Sequence, residues 1–81
     1  MSASAPATDR RDPLVELPPS AKLVYKVLEY NGTLSQSAIA DRSLLPARTV
    51  RYALGRLEDR GVVESRPSFE DARKRLYTIA D

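Results

Sequence analysis

The segment that most constrains this chain is residues 46–61, PARTVRYALGRLEDRG, because its apolar residues recur at helical spacing. On a helix with about 100° per residue, one side is apolar. That side carries Val50, Ala53, Leu54 and Leu57. The other side carries Arg48, Arg51, Tyr52, Gly55 and Arg56. We therefore predict a helix over residues 46–60 that is buried on one side, and whose basic side fits the major groove of duplex DNA.

The charge of this helix is more informative than the charge of the whole chain. The 81 residues include 13 Lys and Arg against 11 Asp and Glu, so the net charge is only +2. Residues 46–57 contain three arginines and no carboxylate. A basic helix face is also common on helices that are merely solvated, and Arg48 or Arg56 can pair there with Glu58 or Asp59. The sequence of the helix alone leaves both interpretations open.

Composition excludes several functional classes. The chain has room for one small domain, and it has no cysteine and no histidine. Thiol nucleophiles, Cys/His zinc sites and imidazole bases are therefore absent. Glu70 and Asp71 are adjacent carboxylates without further ligands, and they make a poor cation site. We predict that the chain is not an enzyme and uses no catalytic residue, metal or cofactor.

Targeting signals are also missing from the sequence. No apolar run is long enough to span a bilayer, and the N-terminus lacks the charged start and apolar centre of a signal peptide. We predict a cytoplasmic, nucleoid-associated chain.

The first part of the chain is predicted to lack regular structure. Residues 1–19 are small, polar and interrupted by four prolines, so we expect a mostly disordered arm. Its apolar residues Leu14, Val15 and Leu17 can lie on the domain or on a second copy of it. Arg10 and Arg11 can reach DNA phosphates, although the flanking acids Asp9 and Asp12 weaken that interpretation.

A first helix is predicted to begin at Ser20, which follows two prolines and can serve as N-cap. Asn31 and Gly32 tolerate a left-handed cap and end this helix. Tyr25 is predicted to point away from the domain as an exposed residue, with a dimer contact as the alternative. The apolar side of this helix comprises Leu23, Val24, Val27, Leu28 and Tyr30.

The remaining helices and strands are predicted from N-cap residues and from the alternation of apolar and polar residues. Ser35 is the predicted N-cap of a short second helix that ends near Arg42 and buries Ile39 and Ala40. Pro46 is the predicted first residue of the third helix, which Gly61 ends. Residues 62–66 and 75–80 are predicted strands joined by a polar loop at residues 67–74. In the second strand, Leu76 alternates with Ile79 or with Tyr77.

This order of elements predicts an α+β fold, a winged helix-turn-helix with three helices and a two- or three-stranded antiparallel wing, over residues 20–81. The segments IADR at residues 39–42 and LLPARTVRYALGRLEDRGVVESR at residues 44–66 resemble the winged-helix regulators of the multiple antibiotic resistance regulator (MarR) type and their archaeal relatives. The resemblance includes Asp71 and Arg73 in the wing. It implies that Arg73 enters the minor groove and is held by Asp71.

The candidate DNA contacts come from the helices and the wing together. Arg48, Arg51 and Tyr52 lie in the first two turns of the third helix, which enter the major groove most deeply. Arg56 is better placed for a phosphate than for a base, and Gly55 allows close approach of a strand. The full predicted set is Ser35, Gln36, Ala47, Arg48, Thr49, Arg51, Tyr52, Gly55, Arg56, Arg73, Lys74 and Arg75.

The chain also departs from the family pattern. The dimerisation helices of the family are missing, so we do not expect a small-molecule effector. A Ser or Thr cap on the third helix is replaced by Leu45 and Pro46. We still expect a homodimer, formed through residues 14–17, the first helix or both, because one winged helix covers only a half-site.

The leading functional prediction is a sequence-specific, double-stranded DNA-binding transcriptional regulator. One alternative is a winged helix that serves as a protein-interaction module, although such domains usually lose the basic face. A second alternative is a binder of Z-form nucleic acid. It fits less well, because the resemblance to such domains implies an aromatic residue where Gly55 stands. It also implies prolines and a tryptophan in the wing, where Pro67 alone partly fits.

Overall fold

The computed structural model describes residues 16–80, and the three helices and three strands follow the predicted order. The helices are α1 at Pro19–Asn31, α2 at Gln36–Ser43 and α3 at Ala47–Asp59. The strands are β1 at Leu34–Ser35, β2 at Val63–Pro67 and β3 at Arg75–Ile79. This confirms the predicted α+β winged helix-turn-helix. Arg10, Arg11, Leu14 and Val15, for which we predicted contacts, lie outside the described residues, and the predicted disorder of residues 1–15 stays a prediction. The end of the predicted arm is ordered, because Leu17 is buried in the core of the domain and Pro19 lies in α1.

The start of α1 differs from the prediction. Pro18 is the N-cap, with φ −65° and ψ 160°, and Pro19 is the first helical residue, so the prediction of Ser20 as N-cap was wrong. Proline suits the first helical position because its missing N–H needs no partner there. The Pro18 carbonyl accepts hydrogen bonds from the amides of Ala21 at 3.0 Å and Lys22 at 3.2 Å. The helix therefore begins on its two prolines without a side-chain cap.

The buried side of α1 is also shifted. Ala21, Val24, Val27 and Leu28 are buried, whereas Leu23 is 41% and Tyr30 is 82% exposed. The prediction that Tyr25 is a solitary exposed residue was wrong, because Tyr25 is half-buried and packs against the core.

Two predicted caps are confirmed in the helix-turn-helix. The Ser35 hydroxyl accepts a hydrogen bond from the Ala38 amide at 3.2 Å, which caps α2. Gly32 follows α1 with φ 81° and donates its amide to the Leu28 carbonyl at 2.8 Å. Leu44 ends α2 in the left-handed region, with φ 63°, and its side chain is 89% exposed. A leucine in this conformation is strained, because its Cβ approaches the following carbonyl oxygen.

A proline precedes the third helix and a glycine follows it. Pro46 is its N-cap, one residue before the helix, so the prediction that Pro46 is the first helical residue was wrong by one position. At the other end, Gly61 has φ 74° and donates to the Glu58 carbonyl at 2.9 Å. The Val62 amide donates to the Leu57 carbonyl at 3.1 Å. This pair of bonds is a Schellman motif, so Gly61 ends the helix as predicted.

A single hydrophobic core joins all three helices to the sheet. Tyr77 and Ile79 of β3 pack against this core, so the predicted alternation in that strand runs through these two residues and Leu76 faces the other way. Burial of this apolar surface is the main term that stabilises the domain. The core consists of Leu17, Ala21, Val24, Val27, Leu28, Ile39, Val50, Ala53, Leu54, Leu57 and Val63.

The sheet has the strand order β1–β3–β2 and is antiparallel throughout. Val63 pairs with Ile79 and Pro67 pairs with Arg75, which defines the two-stranded wing. On the other edge of β3, Leu34 pairs with Tyr77 and Ser35 pairs with Leu76. Because Ser35 is both the last residue of β1 and the N-cap of α2, this pairing places the start of α2 beside the root of the wing.

Candidate nucleic-acid interface

The outward face of α3 carries the predicted basic residues. Arg48 and Arg51 are exposed, and Tyr52 is 52% exposed. On the opposite face Val50, Ala53 and Leu57 have no exposed surface. The predicted division of this helix into an apolar and a basic side is therefore confirmed.

The alternative in which α3 neutralises its own arginines is wrong for the described residues. Within residues 16–80 the ion pairs are Lys26–Glu29 at 3.0 Å, Arg60–Glu16 at 3.6 Å and Arg73–Asp71 at 3.3 Å. None of them involves Arg48, Arg51 or Arg56. The guanidinium groups on this face are therefore available for an anionic partner.

Arg56 has a different local contact. Its guanidinium carbon lies 5.9 Å from the centre of the Tyr52 ring, one helical turn earlier. This distance is within the range of a cation–π interaction, which holds both side chains on the outward face. Arg56 is half-buried, so its charge is less accessible than that of Arg48 or Arg51.

A cleft of about 410 Å³ lies between the start of α2, the start of α3 and the wing. It brings six of the predicted contact residues together from three elements. It also contains Ser37 and Tyr77, which the sequence analysis did not select. The lining residues are Ser35, Gln36, Ser37, Ala47, Arg73, Lys74, Arg75 and Tyr77.

Hydrogen bonds at the starts of α2 and α3 hold this cleft together. The Gln36 side-chain nitrogen donates to the Ala47 carbonyl at 3.4 Å, which ties the two helix starts to each other. The Ser35 and Ser37 hydroxyl oxygens are 3.2 Å apart. The spacing of Ser37, two residues after the predicted N-cap Ser35, is the sequence signal that could have indicated it. Tyr77 could have been found only from the strand register.

The wing loop presents its cations through a compact turn. The Asp71 carboxylate oxygen accepts from the Arg73 amide at 3.0 Å and from Arg73 Nε at 3.3 Å. The predicted clamp of Arg73 by Asp71 is thus present. The Arg73 side chain is nevertheless 92% exposed, so the aspartate orients the guanidinium without burying it.

Arg75 is held differently from its two neighbours in the wing. Its Nε and Nη2 atoms donate to the Ser65 hydroxyl oxygen at 3.2 and 3.0 Å. The Ser65 hydroxyl in turn donates to the Glu58 carboxylate at 3.1 Å. This chain connects β3, β2 and the end of α3, so Arg75 contributes to the attachment of the wing as well as to its charge.

The other predicted contact residues lie along α3. Ala47 and Gly55 are exposed and Thr49 is half-buried. A Cβ built at Gly55 has no atom within 4 Å, so no packing inside the domain requires a glycine there.

Other site chemistry is limited in the described part of the chain. A hydrogen bond and the charge of Glu29 raise the pKa of Lys26, which lies on α1 away from the cleft. Residues 16–80 contain no cluster of three acidic side chains that could hold a metal ion. None of the three helices reaches the length and apolar character that crossing a membrane requires.

The three-helix core, the sheet and the basic outward helix together define the winged helix-turn-helix class of domains. The chain belongs to the winged helix-turn-helix DNA-binding family, whose model matches residues 19–64. A comparison with curated protein sequences finds no match.

Several solved structures share this fold, and some of them are described as transcriptional regulators. The PcaV regulator of Streptomyces coelicolor, in complex with its natural ligand, has a TM-score of 0.77 at 24% identity, covering 82% of this chain and 47% of PcaV. BpsR of Bordetella bronchiseptica, whose DNA binding is regulated by 6-hydroxynicotinic acid, has a TM-score of 0.74 at 25% identity, covering 80% of this chain and 49% of BpsR.

A third structure covers almost the whole chain. YusO of Bacillus subtilis has a TM-score of 0.77 at 20% identity, covering 98% of this chain and 60% of YusO. The chain therefore spans about half to three-fifths of the length of these structures. The predicted winged helix-turn-helix DNA-binding family is confirmed by the family model, and the predicted resemblance to MarR-type regulators is confirmed at the level of the fold.

Proposed function

We propose that this chain is a sequence-specific, double-stranded DNA-binding transcriptional regulator. The observation that carries the proposal is the outward face of α3, where Arg48 and Arg51 are exposed and have no carboxylate partner among residues 16–80. Such a face is complementary to the negative charge and the hydrogen-bond acceptors of a major groove.

The helix over residues 46–60 is proposed to read the major groove. Arg48 and Arg51 can donate two hydrogen bonds each to a guanine edge, and each such pair contributes about 1–3 kcal/mol of discrimination. Tyr52 can contact a phosphate through its hydroxyl or a thymine methyl through its ring. Gly55 leaves room for a DNA strand, since a side chain there would project from the exposed face of α3.

The cleft beside α3 is proposed to take the DNA backbone. The N-cap of α3 provides no side-chain cap, and its first turn contains no acidic residue. Its positive end, together with nearby cations, therefore favours a phosphate. The proposed backbone contacts are Ser35, Gln36, Ala47, Thr49, Arg56, Lys74 and Arg75.

The wing over residues 67–75 is proposed to lie at the minor groove. A narrow minor groove attracts arginine. Arg73 is suited to this contact because Asp71 orients its guanidinium while leaving the group 92% exposed. Replacement of Arg73 by alanine should weaken duplex binding moderately.

The remaining parts of the proposal concern the state of the protein in the cell. We propose a homodimer on a two-fold symmetric site, because one domain covers a half-site. Leu17 is buried in the core of its own domain, so the proposed interface is formed through Leu14 and Val15, α1 or both. We also propose that the protein acts at the nucleoid in the cytoplasm and catalyses no reaction. Sedimentation with and without duplex would measure its stoichiometry.

Selection of bound sequences from a pool of random duplexes is the most informative experiment. We expect enrichment of a palindrome, because each domain of the proposed homodimer covers one half-site. This result would report specificity and two-fold symmetry together. Affinity for the selected duplex should fall steeply as the salt concentration rises. The slope of log K against log[salt] should be about −0.9 for each phosphate contact. Recovery of no enriched sequence would contradict the proposal and favour a protein-interaction winged helix.

The Arg51→Glu variant tests the assignment of the face. We expect a loss of affinity of about 100-fold or more, because a bidentate contact is lost and a negative charge is placed against DNA. Arg42→Glu, at an exposed position on α2 outside the proposed contacts, has the same change of charge and is the matched control. Circular dichroism should show unchanged helicity in both variants. Equal losses in the two variants would indicate a general charge effect and contradict the assignment.

The expected absence of a small-molecule effector gains no support from the neighbours. PcaV is described in complex with its natural ligand, and the DNA binding of BpsR is described as regulated by 6-hydroxynicotinic acid. We therefore propose that the question be tested directly, by measuring the affinity for the selected duplex in the presence of 6-hydroxynicotinic acid and related aromatic acids.

A further inference from the structure

Phe69 is the most exposed large apolar residue in the described part of the chain, with a relative exposure of 105%. It lies in the loop between β2 and β3, at the tip of the wing. The other strongly exposed examples, Leu44 and Tyr30, lie on the turn after α2 and on α1. A phenylalanine in full contact with water contributes nothing to the stability of the domain.

The tip that carries Phe69 is an ordered turn. The Ser68 amide donates to the Lys74 carbonyl at 3.0 Å, and the Lys74 amide donates to the Asp71 carbonyl at 2.9 Å. The Ser68 hydroxyl accepts from the Glu70 amide at 3.2 Å. These bonds close the loop on both sides of Phe69, so its ring is presented outward from a defined backbone.

The charges around the tip determine what kind of contact is available. Arg73 and Lys74 are exposed, whereas Glu70 and Asp71 provide two negative charges on the same loop. The formal charges of these four residues cancel, so electrostatic attraction alone gives the tip little affinity for DNA. An apolar contact would therefore add a contribution that the charges of the tip do not supply.

We propose that Phe69 packs against the deoxyribose walls of the minor groove beside Arg73. The inference rests on the proposed function and adds an apolar contact to it. Sugar C–H groups line this groove, and proteins that bind it often place apolar side chains there. Phosphate repulsion of Glu70 opposes deeper entry, so the ring contacts the sugars without separating base pairs.

The test measures the affinity of Phe69→Ala for the selected duplex as a function of salt. A half-buried phenylalanine ring corresponds to about a five- to tenfold loss of affinity. The slope of log K against log[salt] should stay unchanged, because no phosphate contact is removed. Arg73→Ala is the contrasting variant, and its slope should become shallower. Phe69→Leu should retain most of the affinity, and Leu44→Ala is the control for loss of an exposed large apolar side chain outside the proposed contacts.

Hydroxyl-radical footprinting provides a second readout, because the radicals cleave at the deoxyribose. Phe69→Ala should lose protection of the sugars beneath the wing and keep the protection caused by α3. Unchanged affinity and footprint would overturn the inference, as would a shallower salt slope equal to that of Arg73→Ala. Loss of self-association with unchanged duplex affinity would assign Phe69 to a contact between copies instead. If the wild-type protein enriches no duplex, the proposed function fails. If the wild-type protein binds a selected duplex and Phe69→Ala binds it in the same way, this inference alone fails.

Discussion

Replacement of Gly55 by alanine adds one methyl group and distinguishes what the fold requires at this position from what DNA binding requires. A Cβ there meets no atom within 4 Å, and alanine is more favourable than glycine in a helix by about 1 kcal/mol. We expect Gly55→Ala to raise the free energy of unfolding by about that amount while duplex affinity falls. Urea denaturation and binding to the selected duplex measure the two effects. A variant that is stabilised and binds as tightly as wild type would show that no DNA strand approaches this position.

Leu44 is a residue whose conformation conflicts with its type. It adopts φ 63° with a side chain that is 89% exposed, so its backbone is strained and little packing compensates. We expect Leu44→Asn to stabilise the domain by about 1 kcal/mol, because asparagine tolerates this region better. This corresponds to a rise in Tm of roughly 4–8 °C for a domain of this size. A lower Tm would mean that the leucine side chain makes a stabilising contact.

At the scale of elements, the attachment of the wing depends on one serine. Ser65 on β2 links Glu58 at the end of α3 to Arg75 on β3. We expect Ser65→Ala to cost only about 0.5–1.5 kcal/mol of stability, because these bonds are exposed. Duplex affinity should fall severalfold, since the wing is then held less firmly relative to α3.

Amide hydrogen exchange in β2 and β3 would measure the loosening of the wing directly. Thr78→Ala is the matched control, because Thr78 lies on the same strand ladder and pairs with Glu64. Faster exchange in Ser65→Ala alone is the expected result. Similar exchange rates in the two variants would show that the wing is fixed by the ladder itself.

The ends of elements were predictable where a side chain or a glycine makes the terminating contact. Ser35 caps α2 through its own hydroxyl, and Gly61 ends α3 with a positive φ. The prediction failed at Ser20 because two prolines before it already satisfy the start of α1. Local chemistry therefore identified the caps at Ser35 and Gly61. It did not decide between the two possible starts of α1, a cap by Ser20 and a start on the two prolines.

At the scale of the whole molecule, the lack of histidine limits the response to pH. The chain contains no histidine and no cysteine, so no side chain with an ordinary pKa titrates between about pH 5.5 and 7. The raised pKa of Lys26 favours its charged form, so any stability it adds is present below its ordinary value of 10.5 and is lost only above that value. We expect duplex affinity to change less than about twofold from pH 5.5 to 7 at constant salt. A larger change would reveal an interface carboxylate with a raised pKa.

The sequence by itself determined the two faces of α3, because helical periodicity assigns every residue of an amphipathic segment to one side. The resemblance to winged-helix regulators implied the contact between Asp71 and Arg73, which the structure contains within one short loop. Only the tertiary structure decided that Arg75 is tied to Ser65 and that Ser37 and Tyr77 line the cleft. These contacts join residues far apart in the chain, and they depend on the register of β1 and β2 against β3, which local patterns do not specify.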